Sequence, residues 1–452
     1  MRADTIRRAL AMSALAAATL LLLTGPAFGQ ASSKAWSQFR DNPQGTSQAN
    51  VVGAQSAHPA PGFPATLPTT GPGTSGDGAG GIAVSAANVV FVGQGPMLSA
   101  WSPTGKRLWV YNATGVGGSS SPNVTTPALS LSGSTVYALT VSNNPFGNAS
   151  VSSLIAVSAS TGQLRWSAPV GTLATGGFNT QPTVTVGPDG SLYAAANIGG
   201  APGQGPDGSA GPITSGTVSS FTPYGGVNWS TQVPAPLAGG PVLDPSGNVY
   251  VSVEGAGARS GNVIAFNSSG GVLWSTSLGN TIDVGSLETA PLVSPGGSTV
   301  FVGTNGSSGA VFALGTSDGA ILGSVGSGGI NGTLALSPRN GYLFARTPAG
   351  LVSALPSGGG SAVWSSGTNV EAAPNAPAIG ADGTVYASAG GTLLAVAGAT
   401  GATKWSFSAP GSQTPGSTTV LSSPAIGPNG TVYVTSQGFS PSANQLFAFE
   451  LT

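Results

Sequence analysis

The chain has 452 residues, 6% of them charged, a net charge of −1 and no cysteine. Without a basic patch, nucleic-acid binding has no electrostatic support and is not expected. Without cysteine, disulfides, thiolate metal sites and cysteine nucleophiles are excluded.

Arg2, Arg7 and Arg8 precede an apolar run from Ala9 to Leu23, and Ala27-Phe28-Gly29 offers small residues where a signal peptidase reads. Residues 1–29 are therefore expected to be a secretory signal peptide, and the mature protein to be periplasmic or extracellular. The apolar run is shorter than the ~20 residues needed to cross a bilayer, so no membrane span is expected in the mature chain. The missing cysteine also excludes a bacterial lipid anchor. Residues 30–80 follow as a lead-in. Trp36, Phe39 and Arg40 make a short strand candidate before an Asn-Pro turn, and residues 48–80 are rich in Pro, Gly, Ala, Ser and Thr.

From residue 81 the chain repeats itself. Ala156 to Trp166 reads A-V-S-A-S-T-G-Q-L-R-W, and Ala395 to Trp405 reads A-V-A-G-A-T-G-A-T-K-W. Weaker copies end at Trp109, Trp229, Trp274 and Trp364, while the fifth copy, opening at Ala313, reaches Gly323 where Trp is expected. Most copies follow an apolar run and an Asp/Asn/Ser-Gly turn such as G-P-N-G-T-V-Y-V at 427–434, a strong hairpin signal. Four strands per module predict propeller blades at about 81–113, 126–170, 181–233, 240–278, 289–326, 332–367, 375–408 and 423–452. The 73 glycines and 35 prolines fall between the strands as turn residues, and a hydrophobic share of 40% can fill the cores. The fold expected is all-β: an eight-bladed β-propeller of four-stranded blades.

The eighth module has Ala448-Phe449-Glu450 but stops at Thr452 before its Trp strand. The economical expectation is that the N-terminal strand at 35–40, led by Trp36, completes it and closes the ring. Long insertions at 141–151 and 197–216 are expected to be loops.

Little catalytic chemistry is legible. His58, the only histidine, lies in the Pro-rich lead-in, so no histidine triad or His metal site is expected. The Gly-rich stretches sit between strands and not before helices, which is wrong for a phosphate cradle. Trp101 breaks the usual aliphatic slot of the motif and is expected in the core. The acidic candidates are Glu254, Asp283, Glu288, Glu371 and Asp382. Asp283, Glu288 and Glu371 precede inner strands, which makes them weak metal candidates; a solvated loop acid is the commoner explanation for each.

The Ala-x-(Asp/Asn)-x-x-Thr-Gly-x-x-x-Trp repeats, with the opening W-S-Q-F-R-D-N-P-Q-G-T-S, resemble the PQQ-like (pyrroloquinoline quinone repeat, quinoprotein alcohol dehydrogenase-like) β-propeller family over residues 34–452. The resemblance implies that Trp36, Trp109, Trp166, Trp229, Trp274, Trp364 and Trp405 are docking residues that staple one blade to the next. It also implies, for the enzymes that name the family, a quinone and calcium at the ring's axis held by acids, Asn and Arg. The vicinal disulfide common in those enzymes is impossible here. The docking motif's Asp is replaced by Ser102, Ser158, Thr222, Asn267, Gly315, Pro356 and Ala397, with Glu450 alone acidic. The function expected is that of a secreted, non-enzymatic, monomeric scaffold that binds an unspecified protein or glycan partner. The alternatives are a quinoprotein-like oxidoreductase with a degenerate PQQ–calcium site and a binder of neutral cell-surface glycan.

Overall fold

The computed structural model describes residues 35–68, 81–118, 122–142, 151–172, 183–199, 213–254, 261–279, 290–304, 309–326, 328–330, 333–347, 350–366, 375–412, 419–438 and 444–451. The expected signal peptide, most of both long insertions, and Asp283, Glu288 and Glu371 lie outside the described residues.

Turn chemistry sets the topology. In the fourth blade, Val242–Leu243, Val249–Glu254, Gly261–Phe266 and Val272–Ser277 pair antiparallel in chain order. The turn between the first two is Asp244-Pro245-Ser246-Gly247, with Gly247 at φ 83°, a conformation that favours glycine. Asp244 accepts hydrogen bonds from the amides of Ser246 and Asn248 at 2.8 and 2.9 Å, which fixes the turn. Eight such sheets form, at 81–112, 122–172, 184–233, 242–277, 292–326, 335–366, 378–408 and 420–449. The eight-bladed propeller expected from the repeats is the observed architecture. In the second and eighth blades two short strands share the innermost place. The only helical element among the described residues is a 3-10 turn at Val116–Gly118.

Burial orders the strands within a blade. The first strands are buried throughout, as in Val184–Val186, and those of neighbouring blades touch, so they line the axis. The fourth strands alternate exposed and half-buried residues, as in Val227–Val233, and form the rim. The core is a chain of clusters in the gaps between blades, each drawing aliphatic residues from two sheets.

An N-terminal strand closes the ring, but it is not the Trp36 segment. Ala65–Thr66 pairs antiparallel with Gln445–Phe449, Ala65 opposite Leu446 and Thr66 opposite Gln445. Further back, the Ala60 amide donates to the Ala448 carbonyl at 2.9 Å. Ala448 is the motif's small residue, which pairs with Trp in six other blades; in blade 6 the same bond comes from Val363, so Ala60 stands one residue ahead of the Trp place in blade 8. Trp36 instead makes an isolated bridge to Val84 and is buried there. The residues that follow it are drawn to the axis, where the carbonyls of Ser37, Pro43, Gln44, Thr46 and Ser47 accept hydrogen bonds from the blades.

Candidate functional site

The axis is the natural place to look for a site, and one end of it is occupied by the chain's own residues 36–49. These residues touch seven blades in order. The amides of Val84, Leu129, Leu243, Val293, Leu336 and Ile379 donate to the carbonyls of Trp36, Ser37, Pro43, Gln44, Thr46 and Ser47 at 2.7–3.0 Å. Blade 3 differs only in using a side chain: the Val186 amide donates to Gln38 Oε1 at 2.7 Å. All seven donors lie on first strands, and an axial strand otherwise presents an unpaired edge. The segment supplies that edge with acceptors.

Its shape is held internally. The Asn42 side chain donates to Thr46 Oγ1 at 2.6 Å and accepts from the Thr46 amide at 3.2 Å. Arg40 is buried, its Nη1 donating to the Pro291 carbonyl of blade 5 at 2.8 Å, and its guanidinium packs against Gly45, where any Cβ would collide with it. Arg40, Asp41 and Ser47 all have positive φ. Such backbone is sparsely populated outside glycine and persists only where surroundings enforce it.

Asp41 has the most perturbed acid among the described residues. Burial pushes its carboxyl up to about 8, against a smaller opposing effect of the hydrogen bond from Asn42. The folded protein therefore holds a proton that the unfolded chain releases near pH 4. The stabilisation this gives is full below about pH 4 and fades as pH rises toward 8. Asp41→Asn should flatten that slope, which melting temperatures of both proteins from pH 4 to 8 will read.

At the opposite end, the first strands open with small neutral residues. Gly81, Thr126, Thr183, Gly240, Ala290 and Ser423 stand at this level, and neighbours meet directly. A Cβ on Gly81 would land on the Thr126 side chain, and one on Gly240 on Thr183 Oγ1. Blades are wedges, so only small residues fit where they converge. Calcium takes six to eight oxygens, usually with several carboxylates. The described residues at this end supply no carboxylate, and no cluster of three metal-ligating side chains occurs among the described residues.

Among the described residues, Asp189, Asp318 and Asp382 cap turns. Asp382 receives Thr384 Oγ1 at 2.6 Å and Lys404 Nζ at 3.1 Å. Burial alone would raise its carboxyl, but the Thr384 hydrogen bonds and the Lys404 ammonium outweigh this and hold it below the usual range. Glu254 ends its strand. His58 is exposed, 3.5 Å from Glu450 at the chain's C-terminal end. Trp101 is buried and donates to Ser99 Oγ at 2.9 Å, as a core residue.

The tryptophans form the seams between blades. Trp109, Trp166, Trp229, Trp274 and Trp364 each donate their indole N–H to a carbonyl of the following blade: Ala159, Pro223, Ser268, Thr316 and Gly398, at 2.8–3.2 Å. Each acceptor lies three residues after that blade's small motif residue. The indole face lies on the turn glycine of that same blade, so close that a Cβ on Gly319 would stand 2.5 Å from the Trp274 ring. Each ring also packs on an aromatic of its own blade, such as Tyr250 at 5.8 Å from Trp274. Trp405 uses the Ala54 carbonyl of the lead-in instead, at 3.1 Å, and Tyr386 donates to the same atom at 2.8 Å. At the seam from blade 8 to blade 1 the lead-in replaces the indole: Phe63 packs edge-on to Tyr433, and Gly62 lies against Thr104 and Gly105. The Tyr433 hydroxyl is buried without a partner among the described residues, and burial pushes it up to about 12.

The axial role of residues 36–49 was hidden in the sequence. Its signal was the opening W-S-Q-F-R-D-N-P-Q-G-T-S itself, too polar for an outer strand and too rich in acceptors for slack.

Comparison with known proteins agrees with this architecture. The family described as outer membrane protein assembly factor BamB matches residues 214–322 and 307–451. No curated protein matches the chain in sequence. Among solved structures, quinohemoprotein alcohol dehydrogenase from Comamonas testosteroni superposes with a TM-score of 0.63 at 14% identity, covering 97% of this chain and 84% of its own. A europium-containing methanol dehydrogenase gives 0.59 at 13% identity, covering 93% and 99%. BamB from Moraxella catarrhalis gives 0.51 at 16% identity, covering 81% and 92%. At these identities the likeness is one of fold.

Proposed function

The chain belongs to the PQQ-like propeller family described as outer membrane protein assembly factor BamB, and on that premise we propose that it is a non-enzymatic scaffold, exported from the cytoplasm, that binds a partner in the cell envelope. One observation carries the reading. The axis, where a propeller enzyme would hold its cofactor, is bonded across at one end by residues 36–49 and ringed at the other by Gly, Thr, Ala and Ser. Export rests on the basic and apolar pattern of residues 1–29. A scaffold needs rigid, exposed surface and no titrating groups, and a ring stapled at its seams offers that.

The dehydrogenase neighbours favour a second reading, a quinoprotein-like oxidoreductase. Asp283, Glu288 and Glu371 would be the acids it drew on. Purified protein incubated with pyrroloquinoline quinone and Ca²⁺ separates the two. The scaffold reading expects no retained quinone absorbance and no dye-linked alcohol oxidation; either signal would defeat it. The neutral, hydroxyl-rich composition supports a third reading, binding of uncharged glycan. Saturable retention on a cell-wall glycan array would favour it over a protein partner.

A further inference from the structure

The seam between blades 5 and 6 is built like its neighbours but lacks their filling. Ala313 pairs with Gly323 where other blades pair their small residue with Trp. The space at Gly323 is open: a Cβ there would meet nothing within 4 Å. Phe301 pairs with Ala313 as Tyr250 pairs with Ala265, so it holds the aromatic place that elsewhere packs on an indole. Instead of an indole, a cavity of about 420 Å³ lies between the blades. Its lining includes Phe301, Ala313, Leu322 and Gly323 on one side and Leu336 and Ser357 on the other. That volume is within the range of about 300–1,000 Å³ usual for ligand sites.

The far wall is complete. Ser357 lies three residues after Ala354, the offset at which five other blades or their equivalents present the carbonyl that accepts an indole N–H. No described residue donates to the Ser357 carbonyl. Beside the gap, Val325 of blade 5 and Gly360 of blade 6 bridge the two blades directly.

We propose that this cavity is a socket for the tryptophan side chain of an extended partner polypeptide. The occupant follows from the molecule's own filled seams, which receive an indole on a strand, stacked against a ring and bonded to this same carbonyl position. Leu322, which lines the cavity, is exposed, apolar area that a lone indole would leave wet and flanking residues would cover. The mode is that of a hot-spot aromatic anchored in a pocket. It stands apart from the reading of the axis, since the socket is on the seam and its test involves no quinone.

The test uses the full protein and a capped, uncharged Ser/Thr peptide with one central 5-fluorotryptophan, followed by ¹⁹F NMR and calorimetry. Saturable binding is expected, at least about tenfold tighter than for the same peptide with leucine at the centre. Gly323→Trp should fill the socket from within, abolish binding and raise the melting temperature. Leu322→Glu, on a side chain already exposed, should weaken binding about tenfold with the melting temperature unchanged, and decides the matter if Gly323→Trp fails to fold. Absence of saturation, or binding indifferent to Leu322→Glu, would overturn the proposal. Binding of N-acetyltryptophanamide as tight as the peptide would overturn the polypeptide occupant in favour of a small aromatic ligand.

Discussion

Removing residues 35–48 is expected to cost this protein most of its stability, more than any single substitution. Seven first-strand amides would lose their acceptors at once. A buried hydrogen bond contributes about 0.5–1.5 kcal/mol net, so the seven together amount to roughly 4–10 kcal/mol. Whole domains are stable by about 5–15 kcal/mol. Trp36 and Arg40 would take their buried contacts with them. Calorimetry of the shortened protein should show a lowered and broadened transition. Hydrogen exchange should localise the loss, with protection falling at Val84, Leu129, Val186, Leu243, Val293, Leu336 and Ile379 and persisting in the third strands. An unchanged transition would mean the axial bonds are dispensable.

The second large effect is at a filled seam. Trp274 is buried, donates to the Thr316 carbonyl at 2.8 Å, packs on Tyr250 and covers Gly319. Trp274→Ala should destabilise by about 3–5 kcal/mol, as expected when a large aromatic leaves a cavity. Gly319→Ala fails for two reasons: its φ is 69°, costing an L-residue about 1–2 kcal/mol, and its Cβ would press on the Trp274 ring. With Trp274 gone, the conflict with the indole is relieved, and the backbone cost and the contact with Thr276 Oγ1 remain. The double variant should therefore be more stable than the two single losses added together predict, and chemical denaturation of the four proteins measures that coupling. Strict additivity would mean the glycine and the indole do not share one packing joint.

The repeats were legible because the seams write themselves into side chains. A Trp meets a glycine in the next blade at five seams, so both residues recur at fixed spacing, and Gly323 stands out as the lapse among the first seven modules. What was not legible is carried by main chain. The closing strand Ala65–Thr66 lies in a Pro- and Gly-rich stretch with no aromatic to mark it, and its pairing with Leu446 and Gln445 is through backbone groups. Trp36 is the more conspicuous residue, but it bridges Val84 instead. The axial segment escaped for the same reason: six of its seven bonds to the blades are made by carbonyls that any residue has. Asp41, too, is an ordinary acid in sequence; only its buried setting raises its carboxyl.

The lead-in that spans the axis also sets an order in time. A ribosome makes residues 36–49 before any blade exists, and their partners emerge one by one, from Val84 to Ile379. Ala65–Thr66 must wait longer still, until Leu446 has been made. The lead-in is thus fully satisfied only when the last blade is made, and the chain's longest-range contacts are also the ones that lock it. Such a topology folds slowly and leaves inner strand edges bare in the interval. A chain held unfolded until it is complete would avoid that interval, because both ends would then be present when the first blade forms.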